Sequence, residues 1–153
     1  MTILKILHYP DIRLRKIANV VNIVNDNIRN IIDNMLKTMY HFNGIGLAAT
    51  QVNINKRIIV IDIIKTNKTK LILINPEIIK TKGIINSHEK CLSIPNVSGV
   101  IKRYKKIKLR AKNYQGKYFE LYACNLLSIC IQHEIDHLIG KLFIDYFNKK
   151  NKK

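Results

Sequence analysis

The sequence predicts one α+β domain, in which small antiparallel sheets pack around a buried C-terminal helix carrying a His-Glu-x-x-His motif, with a further helix near the N-terminus. Two observations lead to this prediction. Apolar residues recur every three or four positions in two separate segments, and the segments between them are short, β-branched and bounded by polar residues. The length of 153 residues fits a single domain with its own core.

The N-terminal helix is expected to begin at Asp26, as its N-cap, and to continue to about Phe42. Asn43 and Gly44 follow, and both residue types are common just beyond a helix C-terminus. The apolar positions recur at steps of three and four residues, as one face of an α-helix requires. These positions are Ile28, Ile31, Ile32, Met35 and Met39.

Strands are predicted at residues 57–64, 71–74, 101–112 and 117–120, separated by polar, turn-prone stretches. In the third strand, Ile107, Leu109 and Ala111 alternate with basic residues. One face of that strand should therefore be wholly basic, since side chains alternate between the two faces. The basic residues are Lys106, Lys108, Arg110 and Lys112.

The C-terminal helix is expected over about residues 121–139, with Gly140 at its C-cap. Its apolar stripe is so wide that neighbouring elements must cover it on nearly all sides. One face combines apolar residues with residues that can bind metals: Leu126, Ile129, Cys130, His133 and His137.

The composition excludes several classes of protein. Apolar residues make up 47% and charged residues 24%, which is typical of a globular domain rather than a disordered chain. The three cysteines are too few for a disulfide scaffold, and no apolar run approaches the roughly 20 residues that span a bilayer. We expect reduced cysteines, a cytoplasmic location and no membrane partner. Residues 1–147 should form one catalytic domain, and residues 148–153 a basic tail.

The formal net charge is +17, from 27 basic and 10 acidic residues. A field this positive favours polyanionic partners such as nucleic acid or ribosomes. The alternative is a mutational bias, because the abundant Ile, Asn and Lys residues all have A/T-rich codons.

The strongest local motif is His133-Glu134-Ile135-Asp136-His137. Two histidines at i and i+4 of a helix point to the same place, which is the spacing that two metal ligands need, and Glu134 can reach a metal-bound water. The alternative is a pair of hydrogen-bonded core histidines, which would be costly to bury without partners.

A catalytic metal needs a third protein ligand. The candidates are Cys91, Cys124, Cys130, His88 and Glu89. Cys91 lies outside the helix and can approach from another direction, so spacing favours it, but only modestly.

A third segment, GIGLAATQ at residues 44–51, makes a poor phosphate loop because it follows a helix and has no Lys-Ser/Thr pair. Its small residues indicate instead that another backbone comes close. Taken with EKCLS at residues 89–93 and QHEIDHLIG at residues 132–140, it resembles the peptide deformylase family. The resemblance covers about residues 3–147, including the opening stretch YPDIRLR.

The resemblance implies hydrolysis of the formyl group from the N-terminal formyl-methionine of new polypeptides, with release of formate. It implies that Cys91, His133 and His137 bind one divalent metal, Fe²⁺ in most members, which Zn²⁺, Ni²⁺ or Co²⁺ can replace. Glu134 would handle protons, and Gln51 with the backbone N–H of Leu92 would stabilise the oxyanion.

Selectivity for methionine needs an apolar pocket beside the metal. Leu126, Ile129 and Cys130 precede His133 on its helical face and can line that pocket, with Ile45 opposite. They can equally be core residues. The peptide backbone is expected to pair with Ile45 and Gly46 as an added strand.

Two positions depart from the family pattern. Lys90 replaces the glycine of E-G-C-L-S. A lysine would be strained if this position needs a positive φ, and otherwise it adds charge at the cleft rim. Asn43 replaces a glutamate that many members carry, so the pair between that glutamate and Arg103 should be absent.

Two other functions compete with this interpretation. A His-Glu-x-x-His metallopeptidase would give GIGLAATQ and Cys91 no role. A basic RNA- or ribosome-binding module without catalysis would explain the charge but not the metal motif. The charge also predicts that a deformylase could bind the ribosome near its exit site through the basic strand face and the tail lysines.

Overall fold

The computed structural model describes residues 2–150, with side chains up to residue 147. Three α-helices and five strands occur in this part of the chain, together with short 3-10 helices at Ile12–Arg15 and Ala49–Val52. The elements are α1 (Asp26–His41), β1 (Gly46–Ala48), β2 (Ile58–Ile61), β3 (Leu71–Cys91), β4 (Ile94–Lys112), β5 (Tyr118–Cys124), α2 (Asn125–Leu138) and α3 (Ile144–Lys150).

The five strands form one antiparallel sheet in the order β1-β2-β3-β4-β5. The predicted α+β class is confirmed, but the described strands join in a single sheet rather than several small ones. The reason is the length of β3 and β4, which have 21 and 19 residues. Register shifts between Ile74 and Glu77, Ile78 and Lys80, and Lys90 and Cys91 interrupt their pairing. Such irregularities bend a ribbon.

The strand β2 is buried on both faces, because helices cover the sheet from two sides. Ile58 and Val60 belong to the apolar cluster that includes α1, whereas Ile59 and Ile61 belong to the cluster that includes α2. The predicted burial of the C-terminal helix is thus confirmed, with Ile131 and Leu138 fully inaccessible. This packing fixes α2 against β1, next to the GIGLAATQ segment.

The N-cap of α1 is Asn25 rather than the predicted Asp26. The Asn25 side-chain oxygen accepts a hydrogen bond from the Ile28 N–H at 3.0 Å. Both residue types are good N-caps, so the sequence could not separate these neighbours. Asp26 instead pairs with Arg29 at the surface.

The predicted strand limits were too short at 71–74, 101–112 and 117–120. The β3–β4 ribbon extends to Cys91 and starts again at Ile94, and β5 reaches Cys124, so α2 begins at Asn125 rather than near 121. Much of the ribbon is exposed on both faces and therefore lacks the apolar alternation that identifies a strand. The strand predicted over 57–64 was too long, since β2 ends at Ile61.

Helix α3 continues to Lys150, so the predicted tail at residues 148–153 begins within it. The side chains of that tail lie outside the described residues. No helix in the described part of the chain is long and apolar enough to cross a lipid bilayer.

Candidate active site

Three side chains that could together hold a metal ion converge in the domain: Cys91, His133 and His137. The His137 Nε2 atom lies 3.3 Å from the His133 Nε2 atom and 3.4 Å from the Cys91 Sγ atom. All three donor atoms lie within 4.8 Å of one another. The histidines come from one turn of α2, and Cys91 comes from the end of β3.

This donor set fits a divalent metal ion. A tetrahedral centre with bonds of roughly 2.1 Å to nitrogen and 2.3 Å to sulfur separates its donors by roughly 3.4–3.6 Å. The separations of 3.3 and 3.4 Å from His137 to the other two donors are close to that geometry, and all three donors lie within 4.8 Å of one another. One thiolate and two imidazoles also leave a fourth position for water, as catalytic sites require.

The position of Cys91 follows from a tight hairpin. Cys91 of β3 pairs with Ile94 of β4, and only Leu92 and Ser93 lie between them.

Cys130, another candidate ligand, lies in α2, where burial raises the pKa of its thiol to about 12 and keeps it protonated. Among the residues the structure describes, Cys91 is the candidate that joins the histidines.

His133 is oriented by a buried carboxylate. Its Nδ1 atom lies 2.8 Å from Glu89 Oε1, which leaves Nε2 directed at the other two donors. Burial alone would raise the pKa of Glu89, but hydrogen bonds from Arg103 and His133 outweigh it and lower that pKa to about 2. Glu89 is therefore an anion that favours a proton on His133 Nδ1. The Phe143 ring also stacks on the His133 ring, with the two centroids 6.1 Å apart.

Arg103 has two acidic partners, Glu89 and Asp136. Position 43 is Asn, so the pair with a glutamate there is absent, as the sequence predicted. Its guanidinium donates two hydrogen bonds of 2.7 Å to Glu89 and one of 2.6 Å to Asp136. The side chains of Arg103 and Glu89 are 2% and 4% exposed. The sequence analysis missed this network, although period two places Arg103 on the apolar face of β4 with Ile101. A charge on such a face requires a buried partner.

Gln51 is buried beside the thiolate candidate, with its amide fixed at both ends. Its Oε1 accepts from the Ala48 N–H at 2.9 Å. Its Nε2 donates to Ser93 Oγ at 3.1 Å and lies 3.6 Å from Cys91 Sγ. One amide N–H is therefore directed at Ser93, and the other at the sulfur of Cys91. Leu92, whose backbone N–H was predicted to act with Gln51, follows Cys91 in the hairpin turn.

Glu134 is the buried acid beside the three donors. Its Oε1 has no hydrogen-bond partner among the described protein groups, and burial raises its pKa to about 7 although the positive charge of His133 opposes the rise. A Cβ on Gly46 would lie 2.6 Å from Glu134 Oε2, so a side chain there would displace the carboxyl group. Glycine at this position admits the carboxyl group beside β1.

A cleft of about 870 Å³ opens over these groups. Its wall includes all five residues predicted to bind substrate: Ile45, Gly46, Leu126, Ile129 and Cys130. Leu126 is 49% exposed and Cys130 is 7% exposed, so the wall deepens along α2 towards His133. The strand β1 pairs on one side with β2 and lies at the sheet edge. The Ile45 carbonyl accepts from the Asp62 N–H, which uses one of its two lone pairs.

Lys90 also lies at the cleft, in β3 opposite Ser98. It is not among the described residues with positive φ. The backbone here does not require glycine, and the lysine adds charge without that strain.

Known proteins resemble this chain over nearly its whole length. A model of the polypeptide deformylase family matches residues 3–153. A peptide deformylase from Hamiltonella defensa subsp. Acyrthosiphon pisum (strain 5AT) is 57% identical over 148 residues, which cover 97% of this chain and 86% of the relative.

Solved structures agree with that similarity. A peptide deformylase from Legionella pneumophila superposes with a TM-score of 0.93 at 42% identity, and the match covers 95% of this chain and 86% of the Legionella chain. A peptide deformylase from Synechococcus elongatus, solved in complex with actinonin, superposes with a TM-score of 0.89 at 43% identity, covering 94% and 78% of the two chains. The similarity extends well beyond the short motifs.

Proposed function

The chain belongs to the peptide deformylase family and removes the formyl group from N-formyl-methionine peptides, and we propose that it does so at the cleft over Cys91, His133 and His137. This reaction is a step of N-terminal processing in protein biosynthesis. The observation that supports the proposed site is the convergence of three donor atoms within 4.8 Å, beside a cleft that Cys91 and His133 line. This arrangement, together with the family membership, favours deformylation over the two alternatives, a metallopeptidase and a non-catalytic RNA-binding module.

In the proposed mechanism, Cys91, His133 and His137 would hold one divalent metal ion, which would supply an activated water and polarise the formyl oxygen when bound. Glu134 would accept a proton from the attacking water as the water oxygen bonds to the formyl carbon, and deliver it to the amine nitrogen as the carbon–nitrogen bond breaks. Its carboxyl group is buried beside the three donors, and its Oε1 atom has no hydrogen-bond partner among the described protein groups, which leaves it available for both transfers. The products are formate and a free N-terminus.

Gln51 Nε2 and the Leu92 N–H are proposed to donate hydrogen bonds to the oxygen that becomes negatively charged. The bond between Gln51 Oε1 and the Ala48 N–H supports this role, because it fixes the amide before the substrate arrives. The methionine side chain is proposed to lie against Ile45, Leu126, Ile129 and Cys130. The peptide backbone would add to the edge of β1 at Ile45 and Gly46.

We propose Fe²⁺ as the native metal, with Zn²⁺, Ni²⁺ or Co²⁺ able to replace it, since a Cys/His₂ set suits all four. Protein purified without oxygen should contain about one Fe²⁺ per chain and release formate from a formyl-Met peptide. Chelation should remove that activity, and adding Fe²⁺ or Ni²⁺ should restore it. Cleavage of an internal bond in an unblocked peptide, without formate release, would contradict the assignment.

The enzyme is further proposed to act in the cytoplasm and to bind ribosomes near the exit site through the basic face of β4. Lys106 and Arg110 are exposed there, and the guanidinium of Arg110 lies 4.2 Å from the centre of the Tyr118 ring. Lys108 lies over the Tyr122 ring. Cations interleaved with exposed rings suit the phosphates and bases of RNA.

Replacing Lys106 and Arg110 with Gln should weaken binding to purified ribosomes and reduce its log–log salt slope by roughly two, because two phosphate contacts are lost. The pair Lys68→Gln and Lys70→Gln removes the same charge from another surface. Equal losses in both variants, measured by cosedimentation over a salt series, would show that only total charge matters. Turnover of short formyl peptides should stay unchanged in both.

A further inference from the structure

The rim of the cleft carries positive charge that the deformylase reaction itself does not require. We propose that Lys65 and Lys90 select formyl-Met substrates whose second and third residues are acidic. This inference rests on the proposed site, and it adds a substrate class to it.

Lys90 lies beside the reacting groups, because it directly precedes Cys91 at the end of β3. Its side chain is exposed and contributes to the cleft wall. The scissile bond joins the formyl group to the methionine nitrogen, and consecutive Cα atoms are about 3.8 Å apart. The second and third residues of an extended peptide therefore lie roughly 4–8 Å beyond the methionine Cα. Lys90, which directly precedes Cys91, is placed to meet these residues.

Lys65 is held at the same cleft by a structured loop. Asp62 accepts hydrogen bonds from the Lys65 N–H at 2.9 Å and the Asn67 N–H at 3.1 Å. The Lys65 Nζ atom then donates to the Asn43 carbonyl at 3.0 Å, next to the GIGLAATQ segment. Its ammonium group is thus fixed at the mouth, close to the edge where the peptide backbone is proposed to pair.

No exposed carboxylate offsets these two cations among the described residues that line the cleft. The acids in its wall are Glu89 and Glu134, each 5% exposed. Glu89 is already paired with Arg103. A cleft lined by charges of one sign attracts ligands of the opposite charge, so an acidic peptide should bind here better than a basic one.

The expected preference is moderate because the cations are exposed. An exposed ion pair changes an affinity by about 1.4- to 5-fold, so two independent pairs should give about 2- to 25-fold in total. Successive side chains of an extended peptide point to opposite sides, so acidic residues at both positions should engage both lysines.

The test compares three amidated peptides, formyl-Met-Glu-Glu, formyl-Met-Gln-Gln and formyl-Met-Lys-Lys, by kcat/KM at low and high salt. The wild type should favour the Glu peptide over the Gln peptide by about 2- to 25-fold, mainly through KM, and salt should reduce the difference. Lys90→Gln and Lys65→Gln should each remove part of the preference. Lys90→Glu should shift it towards the Lys peptide.

Lys82→Gln is the matched control, since Lys82 is an exposed lysine of β3 that does not line the cleft. It should keep the wild-type preference. Equal kcat/KM for the three peptides, or a preference that survives all the Lys90 and Lys65 substitutions, would overturn the inference. Turnover of the Gln peptide tests the proposed function separately, because neither lysine pairs with that substrate by charge.

Discussion

Glu134→Gln should lower the turnover of formyl-Met peptides by about 10²–10⁴-fold, the range expected when a general acid–base group is lost. Gln has nearly the same shape as Glu and can occupy the space beside Gly46, but it cannot accept and release the proton. Since the three donor atoms come from other residues, the variant should still bind about one metal ion per chain. The measurements are formate release and metal content on the same sample.

Two further variants test the division of roles. Cys91→Ala should lose the metal together with activity, because it removes one of the three converging donors. Glu120→Gln changes an exposed glutamate of β5 outside the cleft and should retain both metal and activity. The roles are wrong if Glu134→Gln loses its metal while Cys91→Ala keeps metal and activity.

The sequence allowed the metal-binding geometry to be predicted because it depends on local spacing and recognisable motifs. His133 and His137 are one helical turn apart, so any α-helix over this segment brings them together. The approach of Cys91 depends on a hairpin distant in sequence, and spacing alone favoured it only modestly. The prediction that Cys91 approaches the histidines came instead from the resemblance of EKCLS and GIGLAATQ to known family motifs.

The buried network behind His133 could not be predicted in the same way. Arg103 is separated by 14 residues from Glu89 and by 33 from Asp136, so no local pattern links them. The extension of β3 from residue 75 to Cys91, which contains Glu89, was also missed, because much of the ribbon is exposed on both faces and has no apolar alternation. The available signal was Arg103 itself, a charge at an inward position of an otherwise apolar strand face.

Arg103→Met should destabilise the domain by about 3–5 kcal/mol, the usual cost of removing one partner from a buried ion pair. The substitution leaves Glu89 buried without its two hydrogen bonds from the guanidinium. Asp136 loses its 2.6 Å bond but keeps the one from the Tyr146 hydroxyl. Urea unfolding of protein stripped of metal measures this cost separately from metal binding.

Arg15→Met provides the comparison, because Arg15 pairs with Asp145 through a side chain that is 41% exposed. That substitution should cost no more than about 1 kcal/mol, as exposed pairs do. Adding Glu89→Gln to Arg103→Met should recover part of the loss, since it removes the uncompensated charge. If Arg103→Met costs as little as Arg15→Met, or Glu89→Gln only adds to the damage, the buried pair does not stabilise the fold in this way. The same carboxylate orients His133, so Arg103→Met should also weaken metal binding by about 10- to 100-fold.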